Sequence, residues 1–214
     1  MQTREPVRLA LRQLWTDHIQ WTRGYIIEAV DQSLSPHVAD VAYNPIGDLA
    51  TALGAIDLRS ATDAAAVRLL KNQEDIGDAI KPYYGDDAGN GLTRLLKEHI
   101  VIAVGLVENA KSGDNDAFAQ NDKKWDDNIR EIARFLAGAN PAWPEADVYD
   151  LLNQHLQLTK GEVMARLTKN WAADVKASDD LLAEAMVIAD TLYDGLVAQF
   201  PDRFETRAMA GATA

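Results

Sequence analysis

Three of the chain's four histidines recur in one local setting: Leu14-Trp15-Thr16-Asp17-His18, Leu95-Leu96-Lys97-Glu98-His99 and Leu151-Leu152-Asn153-Gln154-His155. In each, the residues three and four before the histidine and the one three after it are apolar, positions that share its helical face. All three imidazoles are therefore predicted to point inward, and Asp17, Glu98 and Gln154, turned about 100° away, to point outward. Imidazole is a transition-metal ligand, and mixed sets of imidazoles and carboxylates suit iron, manganese or zinc. The candidate ligands are His18, His99 and His155, with Asp75 and Asp180 as the carboxylates. A structural reading competes: each histidine is satisfied by a carboxylate or carbonyl of its own hairpin, because a buried unpaired polar group costs about 1–3 kcal/mol. The Glu-x-x-His pair that marks di-iron bundles is missing from the sequence.

The carboxylates follow from counting along antiparallel hairpins. His99 lies 14 residues before Gly113 and Asn128 lies 15 after it, so the two sit level, with Asp127 and Glu131 close by. The same count about Lys169 sets His155 level with Asp180 to Glu184. A long insertion spoils the count for the first copy. Within Asn72-Gln73-Glu74-Asp75-Ile76, Asp75 is the candidate because an acid leading into an apolar helix resembles the other copies. The repeat extends beyond the histidines, with glycines six residues on at Gly24, Gly105 and Gly161. Glycine costs roughly 1 kcal/mol in a helix relative to alanine, so its recurrence points to close helix approach or to descent from one hairpin.

Stepping outward from the histidines, the elements that must hold them are helices. Ala, Leu, Glu and Lys dominate long stretches, and two-residue alternation is scarce. The stops and caps predict six helices. The first runs from about Pro6 to Ser33, and the second from Thr62–Asp63 to Pro82. The third starts after Asp86–Asp87 and ends at Ser112–Gly113; the fourth runs from Asp114–Asn115 to Gly138. The fifth opens at Pro144, with Glu145 and Asp147 complementing the helix dipole, and the sixth runs from Asn170–Trp171 to Phe200, before Pro201. The expected fold is all-α: three antiparallel hairpins in one up-and-down bundle, a single domain over residues 1–204. Within it, 35–61 is an insertion with one short helix near 48–53, and 205–214 is a flexible tail. The alternative is a four-helix unit, 86–200, with the first hairpin docked outside and His18 far from the other two.

Composition removes several classes. There are no cysteines, which excludes disulfides, thiolate metal sites and cysteine nucleophiles. A net charge of −12 opposes nucleic-acid binding and attraction to an anionic membrane. No apolar run approaches the ~18 residues needed to span a bilayer, and Met1 to Arg8 has no leader-like apolar stretch, so the expected location is the cytoplasm. His37, beside Pro36 in the insertion, reads as exposed. Trp15, Trp21, Trp125 and Trp171 fall at core or hairpin-end positions. Gly85-Asp86-Asp87-Ala88-Gly89-Asn90-Gly91 lacks the preceding strand and following lysine of a phosphate loop and reads as a helix cap.

The segments Leu14-Trp15-x-x-His18-x-x-Trp21-Thr22-Arg23, Asn72-Gln73-Glu74-Asp75-Ile76, Pro82-Tyr83-Tyr84-Gly85, Glu98-His99 and Gln199-Phe200-Pro201 together resemble a widespread family of uncharacterised bacterial helical proteins. The resemblance covers most of residues 10 to 201. It is distantly similar to ferritin-like and hemerythrin-like bundles and implies a helical fold with iron binding in some members, but no activity. Three functions are open on the sequence: a metal-binding bundle, a small-molecule binder whose pocket is lined by Trp15, Trp21 and the insertion, and a structural or partner-binding bundle. A homodimer is compatible with each.

Overall fold

Strong caps and a clean helical period produce the elements seen in a computed structural model, which describes residues 4–31 and 60–204. Six long helices follow one another: α1 (Arg4–Asp31), α2 (Ala61–Tyr84), α3 (Asp86–Ser112), α4 (Asn115–Ala139), α5 (Glu145–Leu167) and α6 (Trp171–Gln199). A short α7 (Pro201–Phe204) follows, and no strand occurs among the described residues. Ser60, Asp114 and Asn170 each accept a backbone N–H of the first turn of α2, α4 and α6, satisfying a donor the helix itself leaves free. The positions 35–59, with His37 and the expected short helix, and 205–214 lie outside the described residues.

Two boundaries differ from expectation. Pro82 does not end α2 but sits inside its last turn, and Gly85 alone links α2 to α3. Its φ of 84° is open mainly to glycine. Pro201 likewise starts α7 rather than only stopping α6, since its fixed φ suits a first helical residue. Gly77 and Gly89 bring α2 and α3 together: a Cβ on Gly77 would stand 2.7 Å from the Gly89 carbonyl oxygen. Among the described residues, a Cβ on the recurring Gly24 or Gly161 would meet nothing within 4 Å, and one on Gly105 would meet only the end of Asn121. Close approach is therefore not what the repeated glycines serve, and shared descent is the explanation left for them.

The helices form a closed ring. Each packs on its neighbour in the chain, and α6 returns to pack on α1. Arg8 and Arg12 of α1 both fork onto Asp190 of α6, with Nε to Oδ1 distances of 3.0 and 2.8 Å. The histidine-bearing α1, α3 and α5 also touch one another across the middle. The first hairpin is thus part of the bundle, not an outside addition.

The apolar core is split. One cluster, which includes Leu11, Trp15, Leu95, Trp125, Ile132, Leu152 and Ile188, fills one part of the bundle. A second, with Tyr25, Ile26, Leu69, Val104 and Val163, fills another. His18, His99 and His155 fall between the two along their helices. Trp21 departs from its expected core position: it is exposed and lies under the Arg68 guanidinium.

Candidate functional site

The site begins with a backbone arrangement shared by the first two hairpins. Asn128 on α4 donates its amide Nδ2 to the carbonyl of Leu95, four residues before His99 (3.1 Å). That fixes the amide, so its Oδ1 accepts from His99 Nδ1 at 3.0 Å. On α2, Asn72 Nδ2 donates to the carbonyl of Leu14, four residues before His18 (3.0 Å). Asn72 is also the side chain whose hydrogen bond favours a proton on His18, while Gln73 Nε2 stands 3.1 Å from its Nδ1. In the third hairpin Glu184 takes the asparagine's place, and its Oε2 accepts from His155 Nδ1 at 3.1 Å. A proton on Nδ1 satisfies Asn128 at His99 and Glu184 at His155, whereas at His18 the Gln73 amide nitrogen donates to Nδ1, which places that ring's proton on Nε2.

The rings are close together and dry, with exposures of 4, 5 and 3% for His18, His99 and His155. His155 is central, its ring centre 5.5 Å from that of His18 and 6.3 Å from that of His99. Trp15 meets His18 edge-on, and Trp125 lies 5.0 Å from His99 while donating its Nε1–H to the His99 carbonyl. Burial, then the neighbouring His155 and His99, holds the His18 imidazole well below its ordinary range. Burial and His155 push His99 down to about 3. These two rings are neutral bases at physiological pH.

Glu184 is also buried, at 5% exposed, and its Oε1 has no hydrogen-bond partner among the described residues. The layer thus contains one carboxylate that no Lys or Arg neutralises among the described residues. Above it opens a cavity of about 40 Å³ lined by all three histidines, by apolar residues including Tyr25, Phe118 and Val163, and at its rim by Lys160 and the half-exposed Met164. A water molecule needs ~10–15 Å³ on this measure, so a few small atoms fit. Lys160 is tied to Asp122 at 2.8 Å, and the Thr159 hydroxyl donates to the His155 carbonyl.

The two carboxylates inferred from the sequence lie elsewhere. Asp75 is on the surface, paired with Lys71 one turn earlier on α2. Asp180 pairs with Lys176 at 2.6 Å, one turn before Glu184. Asp127 pairs with Lys123 on the exposed face of α4. The structure brings together His18, His99, His155 and Asn128 as counted, but substitutes Asn72 with Gln73 for Asp75 and Glu184 for Asp180. Trp15 and Trp21 do not line this cavity, whereas Trp125 does. A signal for the missed partners stands in the sequence. Asn72, Asn128 and Glu184 are spaced by 56 residues, as are His99 and His155, and each is followed four residues later by Ile76, Ile132 or Ile188.

Among the described residues, no group of three or more His, Asp or Glu side chains stands at metal-holding geometry. No helix among them is long and apolar enough to cross a membrane. Compared with known proteins, the chain matches no family profile, no curated protein and no solved structure. The likeness drawn from its motifs therefore rests on those residues themselves.

Proposed function

We propose that this bundle binds one divalent transition-metal ion through the imidazoles of His18, His99 and His155. One observation carries the reading: three buried imidazoles, each met at Nδ1 by a side chain of the next helix, line one cavity beside a buried carboxylate that no Lys or Arg meets among the described residues. The Glu184 Oε1 has no hydrogen-bond partner among the described residues, which is costly in a dry interior, and a nearby cation offsets that cost. Orientation of a ligand histidine by a carboxylate or amide on its other nitrogen is the usual outer-shell arrangement of metal sites. Two imidazoles held at about 2.1 Å by one tetrahedral ion have ring centres roughly 5 Å apart. The separations of 5.5 and 6.3 Å ask the rings to close by on the order of 1 Å. Iron, manganese and zinc are the candidates, with zinc and iron the better match to an all-imidazole set. This reading accords with the resemblance to ferritin-like and hemerythrin-like bundles and treats 1–204 as one domain.

The spacing and the apolar walls favour a second reading, in which the cavity takes a small neutral molecule and no ion. Under either, the net charge of −12 supports the expectation of no nucleic-acid partner and of a cytoplasmic, non-membrane protein, as monomer or homodimer. Elemental analysis of protein purified without a histidine tag, followed by calorimetric titration with zinc, manganese and ferrous iron, tests the proposal. One ion per chain, lost on replacing any one of the three histidines, is expected. Absence of stoichiometric binding by any of the three ions would overturn it and leave the small-molecule reading.

A further inference from the structure

We infer that a second cavity, beyond the histidine layer, binds a small neutral molecule with an apolar body and one hydrogen-bond acceptor, held by the Trp15 indole N–H. The inference goes beyond the metal reading and does not rest on it, because no histidine lines this space among the described residues. The cavity measures about 40 Å³ and takes side chains from all six long helices. Its walls come from equivalent places in the three hairpins. Seven residues before the histidines stand Leu11, Leu92 and Val148, and three before them stand Trp15, Leu96 and Leu152; all six line it. So do Ile76, Ile132 and Ile188, at matching places on α2, α4 and α6. Equivalent positions of three copies converge on the axis of the ring, so the space is axial. The first cavity takes residues that follow the histidines, such as Ile26, Val107 and Val163, and so lies on the layer's other side.

Two observations mark this space as more than a gap in packing. The first is an orphan donor. Trp125 donates its indole N–H to the His99 carbonyl and Trp143 to the Thr191 carbonyl, as buried indoles usually do. Trp15 is only 5% exposed, yet its Nε1 meets no acceptor among the described residues. It stands where both other copies carry leucine, so the apolar lining of the repeat is broken once, by a side chain that brings a donor. The second is the chemistry of the walls. Among the described residues Thr191 carries the only hydroxyl in the lining, and no charged side chain takes part. A charged guest would be buried unpaired there, and the orphan donor alone does not hold water, which needs two to four polar partners. The guest that fits has one acceptor for Trp15 and carbon elsewhere, which describes short ketones, aldehydes and ethers. On a scale where a water takes ~10–15 Å³, there is room for roughly four heavy atoms. Leu151, Thr191 and Leu192 are the lining residues that are not fully buried, so entry is between α5 and α6.

The test is a nuclear magnetic resonance titration of the whole chain, labelled at isoleucine and valine methyls and at tryptophan indoles. Acetone is the probe, and isobutene, its isostere without the acceptor, is the control. Acetone should shift the Ile76, Ile132 and Ile188 methyls saturably, with one-to-one stoichiometry. It should also move the Trp15 indole proton downfield, the direction of a new hydrogen bond, and isobutene should not. Trp15→Phe should weaken acetone at least tenfold and isobutene less than threefold. Val148→Leu, which gives the third copy the residue of the other two, should weaken both. Absence of a saturable shift would show an empty packing void and overturn the inference. Acetone binding undiminished in Trp15→Phe would show that the N–H is no anchor, and shifts confined to Val104 and Val163 would place the guest in the first cavity; either overturns it. Should Trp15→Phe not fold, Trp15→Leu, with the residue of the other copies, gives the same comparison. The two sites share no side chain among the described residues, so metal titration succeeds or fails separately.

Discussion

In the first two hairpins the inward histidine leans on an asparagine, and in the third it leans on a glutamate. Both asparagines donate to the carbonyl four residues before the histidine, and Asn128 also accepts from His99 Nδ1, where at His18 Nδ1 the Gln73 amide nitrogen stands instead. Glu184 can only accept, so it gives up the link to the α5 backbone and gains a negative charge beneath the central ring. Two copies thus keep the neutral, amide-held form that suits a register-fixing polar layer. The third departs from it at the one ring that stands within reach of both others. A change that weakens local bonding at the convergence point makes sense if the charge meets something placed there.

The largest effect should come from the shared ring. His155→Ala is expected to abolish metal binding, lowering affinity by more than a hundredfold in calorimetric titration, because it leaves only two separated imidazoles. If His18→Ala and His99→Ala each kept full binding, the three copies would be independent and the comparison would collapse to three separate hairpins. Acid comes next. Because His18 and His99 resist protonation when folded, the unfolded chain takes up more protons below about pH 6.5. Stability therefore falls as the pH drops from about 6.5 toward the His99 value of about 3, with His99 contributing a slope of up to one proton and His18 adding to it in the same direction. Urea unfolding across that window measures the slope, and His99→Gln should flatten it by one proton.

Converting the third copy toward the first two is a finer test. Glu184→Gln keeps an acceptor for His155 and removes the charge. Metal affinity should fall 10- to 100-fold, as for other outer-shell partners, while the metal-free protein gains on the order of 1 kcal/mol in urea unfolding. An unchanged affinity would show the carboxylate to be a structural variant of asparagine. Asn128→Ala breaks a copy in the opposite way, removing the second donor to the Leu95 carbonyl and leaving His99 Nδ1 unpaired. It should cost about 2 kcal/mol of stability in the same assay. At the small end, Asp75→Asn and Asp180→Asn touch only surface pairs with Lys71 and Lys176. Neither should alter metal binding or shift the unfolding midpoint measurably.

What was legible in the sequence was the part governed by periodicity. Apolar offsets around His18, His99 and His155 fix which way each ring faces, and helix stops at Gly113 and Lys169 fix the level of Asn128 and the window ending at Glu184. What was not legible was the choice within one helical turn. Asp180 and Glu184 lie four residues apart, and only the packing of α6 on α5 decides which of them is level with His155. In the first hairpin an acid looked the better partner for an imidazole. Yet Asn72 alone can bond both the ring and the Leu14 carbonyl, a requirement set by the backbone and invisible to any argument from charge. Trp21 was misplaced for a related reason: its edge of α1 faces Arg68, beyond the buried stripe.

The ring of helices closes on itself, with Arg8 and Arg12 clasping Asp190 much as any hairpin clasps its own second helix. Such a circle has no privileged starting point. The seam between α6 and α1 is one more inter-helix contact, and the three hairpins could be read off in any cyclic order without disturbing the histidine layer. A gene rearranged to begin at α3, with α6 joined to α1 by a linker, would encode the same three-way convergence. The order of the copies along the chain is then a record of how they were copied, and the circle itself is what specifies the site.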